Sequence, residues 1–285
     1  MVTLKIAVQK SGRLKEDSLK LLKDIGIYVD NGKEQLKARA TNFPIEVFYL
    51  RNGDIPQYLK DGVVDAAIIG SNILVEKGQG ITSELQLGFS KCRLSLAIPK
   101  SMHYNDLNDL NGRKIATSYP RTVQSFLNDN NLDAELHVIN GSVEIAPNIG
   151  LADAIVDIVS TGGTLFKNNL IEKEILLNSE AVLAVSPNIQ SLQMTLLDKI
   201  KFRIESVLKG RSSKYVLLNA PNERLKDIIN LLPGMKSPTV LPLAISGWSS
   251  VHSVIDVNQF WDIIDDLKQL GAEGILICPI EKMVI

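Results

Sequence analysis

The chain has 285 residues, 45% hydrophobic and 22% charged, with a formal net charge of −1. That length exceeds the usual single-domain size, so two or three domains are expected, and the near-neutral charge with scattered basic residues excludes the electrostatic footprint of a nucleic-acid binder. No run of about 18 apolar residues is present to span a membrane, the opening MVTLKIAVQK holds too short an apolar run for a signal peptide, and the two cysteines, Cys92 and Cys278, match no disulfide or metal spacing, so a cytoplasmic protein without membrane contact is expected.

In chain order, TLKIAVQ reads as a strand, followed by a polar loop and a helix from Leu14 to Ile25, whose Leu14, Leu19, Leu21, Leu22 and Ile25 recur near the helical period. EVFYL is a second strand-like run, and Gly62-x-x-Asp65-Ala66 leads into the buried-type strand AAIIG. The same order returns later: RKIATS opens like the first strand, and Gly150-x-x-Asp153-Ala154 leads into IVDIV. Two α/β lobes of similar plan with parallel-type strands are the simplest account. LSLAIPK (residues 94–100) and AVLAVS (residues 181–186) are the expected connections between them, and a helix over residues 191–209 would finish the first lobe with Leu192, Met194, Leu197, Ile200, Phe202, Ile204 and Val207 on a buried face. From KYVLLNAP to ILICPI the order becomes βαββαβ, a ferredoxin-like unit, with Asn222 capping one helix and Gly271 or Gly274 ending another. The expected domains are residues 1–93 with 180–210 (lobe I), 94–179 (lobe II) and 211–285 (third domain).

Chemistry concentrates in DAIVDIVSTGGT, residues 153–164. A loop at the carboxyl end of a parallel strand lies in the crevice where ligands bind. The glycines free backbone N–H groups to converge, and Ser160, Thr161 and Thr164 add hydroxyls, so a phosphate could be held with little help from cations. Thr164 is the expected N-cap of the following helix. Asp157 inside a buried strand is costly unless paired or solvated, which suits a sugar whose hydroxyls need acceptors. The absence of GxxxxGK[ST] excludes a P-loop hydrolase. His103, His137 and His252 share no ligand spacing, and Trp248 and Trp261 read as packing residues.

DAIVDIVSTGGTL resembles the phosphoribosyl-diphosphate (PRPP) motif of the ATP phosphoribosyltransferases. QKSGRL, RNGDIP, DGVVDAAIIG, KCRLSLAIPK, RKIATSYP and NGSVEIAPNIGLADAIVD agree in order, and SKYVLLNAP, NLLPG, SPTVLPLA and CPIEKM resemble the regulatory domain of that family's long form. The resemblance implies an α/β fold of two periplasmic-binding-protein-like lobes plus a C-terminal ferredoxin-like domain. It implies Mg²⁺-dependent transfer of the 5-phosphoribosyl group of PRPP to N1 of ATP, releasing diphosphate, in the first step of histidine biosynthesis. It also implies feedback inhibition by histidine and a homo-oligomer passing between dimer and hexamer. On the matched motifs, PRPP would be bound by Glu144, Asp153, Asp157, Ser160, Thr161, Gly162, Gly163 and Thr164. ATP would be bound by Lys10, Gly12, Arg13, Arg51, Asp65, Gly70 and Ser71, and catalysis would involve Asp153, Asp157, Lys10 and Arg13. Asn219 and Thr239 are the expected contacts for histidine, and the ligands of the metal stay open. The rival reading is a two-lobed small-molecule binding protein without catalysis, which the missing export signal and the third domain disfavour.

Overall fold

A computed structural model describes residues 2–30, 35–232 and 234–284. The chain divides into two compact units, Met1–Asp198 and Lys199–Ile285. In the first, chain order runs β1 (Leu4–Gln9), α1 (Arg13–Asp24), β2 (Lys37–Arg39), β3 (Ile45–Leu50), α2 (Ile55–Lys60), β4 (Ala66–Gly70), α3 (Ser71–Lys77) and β5 (Thr82–Gln86). It continues with β6 (Cys92–Pro99), β7 (Lys114–Thr117), α4 (Pro120–Asp129), β8 (Glu135–Val138), β9 (Ala154–Val159), α5 (Gly163–Lys167), β10 (Leu170–Ser179) and β11 (Ala181–Val185). Helix α6 (Ser191–Ser212) then crosses the boundary between the units.

The lobes share a five-strand plan, to which the first adds the short edge strand β2. One sheet runs β2-β3-β1-β4-β11-β5 and the other β10-β6-β9-β7-β8. In each, three parallel strands (β3-β1-β4; β8-β7-β9) are followed by an antiparallel one (β11; β6) and then by an outer strand (β5; β10). The antiparallel strand beside the parallel three, β11 in one sheet and β6 in the other, is the one delivered by a crossing from the other lobe. The crossings are therefore residues 87–91 and Glu180, not LSLAIPK and AVLAVS. Those two runs are mostly apolar because they are interior strands: Leu94, Leu96, Ala97 and Ile98 are buried, as is all of β11.

The echoed Gly-x-x-Asp-Ala strings have one physical cause. Asp65 stands just before β4, and its Oδ2 accepts the Lys5 N–H of β1 at 2.7 Å while its own N–H donates to the Lys5 carbonyl at 2.9 Å. Asp153 stands just before β9 and repeats this on Lys114 of β7, at 2.9 and 2.8 Å. Each aspartate clips the starts of two adjacent parallel strands, satisfying an amide the ladder leaves open.

Lobe II packs two layers on its sheet. Leu94, Leu96, Ile115 and Val156 meet Val123 and Leu127 of α4 on one face, while Ala97, Ile155 and Val159 meet Val143 and Leu165 on the other. The lobes are seamed by α3 and α4. The buried Glu76 carboxylate accepts the Arg121 and Thr122 N–H groups at 3.0 and 2.9 Å and the Thr122 hydroxyl at 2.7 Å, capping α4, whose own N-cap residue supplies no side-chain bond.

In α6 the buried stripe is Leu197, Ile200, Ile204 and Val207, at helical spacing; Leu192 (64% exposed) and Phe202 (54% exposed) lie off it, contrary to the expected single face. The second unit contains β12 (Ser213–Pro221), α7 (Leu225–Leu231), β13 (Thr239–Pro242), β14 (Trp248–Asp256), α8 (Gln259–Gln269) and β15 (Glu273–Pro279), with sheet order β13-β14-β12-β15. This is the ferredoxin-like plan. Pro233, within the segment read as a helix, lies outside the described residues. Asn222 does not cap α7: it begins a 3₁₀ turn, and its Oδ1 accepts the Ser249 hydroxyl at 2.7 Å. Gly271, at φ 86°, does end α8, with its N–H and that of Ala272 closing on Lys268 and Leu267 carbonyls.

Candidate functional site

At the carboxyl end of β9 the chain leaves the sheet through Ser160, Thr161 and Gly162 and re-enters helix at Gly163. Gly162 sits at φ 79°, a left-handed turn that a side chain would strain, and occupies the N-cap of α5. The expected cap at Thr164 is thus displaced. Thr164 lies inside the helix, exposed, and its carbonyl accepts from Asn168.

Residues 158–165 line a hollow of about 250 Å³ together with Asp157 and Glu144. Ser160, Thr161, Gly163 and Thr164 are exposed in it. The volume suits a phosphate with part of a sugar. Asp157 stands between Ile155 and Val159, whose faces pack inward. Burial pushes its carboxyl up to about 6, the Glu144 charge adds to this, and the Ile158 N–H opposes it. Glu144 comes from the 3₁₀ turn Val143–Ile145 beneath the sheet.

The structure does not bring Asp153 to this hollow. A six-residue strand rising about 3.3 Å per residue separates it from the loop, and its carboxylate is committed to the Lys114 N–H, with Arg113 at 3.8 Å. Asp65 is likewise committed at the start of β4, far from the carboxyl edge.

On the lobe I sheet, Lys10 follows β1, Arg51 follows β3, and the Lys10 N–H donates to the Leu50 carbonyl at 2.7 Å, so the two exposed residues leave adjacent strands at the same edge. Gly12, at φ 86°, is the N-cap of α1, and Arg13 opens that helix, exposed, with Asp17 at 3.9 Å. Gly70 and Ser71 also lie on this carboxyl edge, but Ser71 is engaged in the crossing: its N–H donates to the Glu180 carbonyl at 2.9 Å and its hydroxyl meets that of Ser179 at 3.0 Å. In lobe I this turn occupies the place that the 160–164 loop holds in lobe II, and Ser179 fills it where an anion could enter the other.

Tyr119 was not singled out by the sequence. It packs against the cores of both lobes, and its hydroxyl accepts from Asn72 Nδ2 at 3.1 Å. Its phenol is pushed up to about 12, first by burial and then by the Asp157 charge. Arg93, Ser95 and Glu172 were missed as well. Their signal was only the alternation in CRLSLAI, which places Arg93 and Ser95 on one strand face; Glu172 arrives from β10 by register alone.

In the second unit, Asn219 lies opposite Ser250 and Thr239 opposite His252, on the sheet face away from the buried Val216, Leu218 and Val251. His252 stands on the same face, bonded to the Ser250 hydroxyl at 3.0 Å and the Tyr215 hydroxyl at 2.7 Å.

Comparison with known proteins matches residues 51–206 to the ATP phosphoribosyltransferase family and residues 210–282 to that family's C-terminal domain. A protein of Cytophaga hutchinsonii named ATP phosphoribosyltransferase is 51% identical over 281 residues, covering 99% of this chain and 98% of its own. One of the same name from Phocaeicola vulgatus is 53% identical over 282 residues, covering 99% and 100%. Among solved structures, an ATP phosphoribosyl transferase (HisG:HisZ) complex from Thermotoga maritima superposes with a TM-score of 0.60 at 29% identity, covering 71% of this chain and 99% of that one.

Proposed function

The chain belongs to the ATP phosphoribosyltransferase family, the enzymes of the first step of histidine biosynthesis, and from that premise we propose that the hollow at the end of β9 is its PRPP site. The observation that carries this is the convergence of exposed hydroxyls and a left-handed glycine turn with two carboxylates in one small hollow. The loop N–H groups and the hydroxyls of Ser160, Thr161 and Thr164 take the 5-phosphate, and Asp157 with Glu144 accepts ribose hydroxyls. Above pH 6 Asp157 is ionised, and a carboxylate beside the ribose stabilises the positive charge that develops as the bond from C1 to diphosphate breaks.

Adenine N1 attacks with its own lone pair, so no strong base is needed. The enzyme's task is to align two bound substrates and keep water from C1. Lys10, Arg13 and Arg51, on the carboxyl edge of lobe I, are proposed to meet the ATP phosphates and the leaving diphosphate. Asp153 and Asp65 belong to the strand starts and not to this chemistry. Mg²⁺ fits as an ion carried by substrate: among the described residues no group of three or more His, Cys, Asp or Glu side chains is placed to hold a metal. Glu144 and Asp157 would supply the one or two carboxylates such an ion takes when phosphates and water complete its shell. When bound, it neutralises charge on diphosphate.

Mixing the protein with ATP, PRPP and Mg²⁺ while removing diphosphate is expected to raise ultraviolet absorbance as the N1-substituted adenine forms, with one diphosphate released per product. Unchanged absorbance without diphosphate release would instead favour a two-lobed binding protein.

Histidine is proposed as a feedback inhibitor bound on the Asn219, His252 and Thr239 face, in a cytoplasmic homo-oligomer of dimers and hexamers. The support is the cluster of donors and acceptors on that face. Asn219→Ala with Thr239→Val is expected to raise the histidine concentration for half inhibition at least ten-fold; an unchanged inhibition curve would move the effector site elsewhere.

A further inference from the structure

One ion pair beside the hollow is built differently from the surface pairs elsewhere in the chain. Arg93 on β6 grips Glu172 on β10 with both Nε and Nη2, one to each carboxylate oxygen. Its remaining nitrogen, Nη1, donates to the Ser160 carbonyl at 3.3 Å, and the Ser95 hydroxyl adds a bond to Glu172 Oε1 at 2.7 Å. The two side chains are only 29% and 25% exposed. Strand register explains the assembly. Arg93 pairs with Val159 and Ser95 with Asp157 across β6 and β9, and Glu172 pairs with Ala97 across β10 and β6. Alternation along β6 puts residues 93, 95 and 97 on one face, the face on which Asp157 and Glu172 also stand.

The Ser160 carbonyl is the first group of the loop beyond the ladder. In a trans peptide, C=O and N–H point in opposite directions in one plane, so anchoring Ser160 O fixes the direction of the Thr161 N–H, a donor lining the hollow. A guanidinium can hold a carboxylate with two nitrogens and still direct a third at a carbonyl; an ammonium has no such fixed fork. The Arg93 charge is already matched by Glu172, which also holds that carboxylate below its ordinary range. We infer that Arg93, oriented by Glu172, is a positioning residue that presets the 160–164 loop for the phosphate of PRPP and does not itself touch it. This rests on the reading of that loop as the PRPP site.

The test uses full-length Arg93→Met, Arg93→Lys and Glu172→Gln, with Gly163→Val as the reference for the site. Both Arg93 variants are expected to raise the KM for PRPP ten-fold or more, with kcat and the KM for ATP within about three-fold of the parent. Glu172→Gln, which keeps the shape but weakens the fork, is expected to give an intermediate rise. The double variant Arg93→Met with Glu172→Gln should be no worse than Arg93→Met alone. A lowered Tm with both KM values unchanged would show a plain strut and overturn the proposal. So would full rescue by Arg93→Lys, because a bare positive charge would then suffice. If Gly163→Val weakens PRPP while the Arg93 variants do not, the positioning role falls and the site stands; if neither affects PRPP, the site assignment falls with it. Should Arg93→Met fail to fold, Arg93→Lys and Glu172→Gln carry the same comparison.

Discussion

Gly163→Val is expected to weaken PRPP binding about 100-fold or more while leaving the ligand-free protein close to its parent stability. A Cβ built on Gly163 meets only Thr161 Oγ1, at 3.8 Å, and the backbone there is not left-handed, so a side chain enters open space without strain. That space is the hollow Gly163 lines. A valine would hold a phosphate away from the loop N–H groups. Two hydrogen bonds to a charged group, each worth about 1.5–3 kcal/mol, then fail together, which is at least about 3 kcal/mol. Gly162 would be a poorer probe. At φ 79° any side chain there costs about 1–2 kcal/mol in backbone strain alone, confusing folding with binding. Calorimetric titration with PRPP and Mg²⁺, paired with a melting curve, reads both quantities. A PRPP affinity within three-fold of the parent would reduce the loop to an ordinary turn.

Asp157→Asn is expected to lower turnover while raising stability. The carboxyl has an ordinary value of 3.8 and is pushed up to about 6, chiefly by burial. The folded state therefore binds a proton that the unfolded state has lost between about pH 4 and 6. Folding stability falls as pH rises through that window, and the cost is fully present above it. The gap is worth at most about 3 kcal/mol. Asparagine carries no charge into the site, so the ligand-free variant is expected to be about 1–3 kcal/mol more stable at pH 8, with the advantage shrinking to nothing near pH 4. Turnover is expected to fall about 10- to 100-fold, as one charged hydrogen bond to the ribose is replaced by a neutral one. Denaturant melts at the two pH values and steady-state kinetics check the pair. Equal stability at pH 8 with normal kinetics would remove Asp157 from the site.

The duplicated plan was readable because each echo reports a repeated physical need: Lys-Ile-Ala begins a buried strand in each lobe, and Gly-x-x-Asp-Ala supplies the carboxylate that clips its neighbour. The same echo misled about chemistry. Asp153 and Asp157 are four residues apart in the chain, and only strand direction shows that one stands at the amino end, bonded to Lys114, while the other faces the hollow. Asp65 was assigned to ATP for the same reason, and it too stands at a strand start, bonded to Lys5. Thr164 followed the general preference for hydroxyl caps, but the left-handed Gly162 starts the helix two residues earlier and leaves that hydroxyl exposed. Arg93, Glu172 and Tyr119 were illegible for a different cause. Their partners are 67 to 79 residues away for Arg93 and 47 for Tyr119, and no local spacing encodes such contacts. The crossings were placed one strand late because a mostly apolar run looks like a connection until sheet order shows it paired on both sides as an interior strand.

The most direct test is a crystal structure of the protein with PRPP and Mg²⁺ bound. The 5-phosphate should lie within hydrogen-bond distance of the N–H groups and hydroxyls of residues 160–164, with ribose hydroxyls facing Asp157 and Asp153 still bonded to Lys114. A phosphate bound instead on the lobe I edge, against Lys10 and Arg13, with the β9 loop left in solvent, would contradict the assignment.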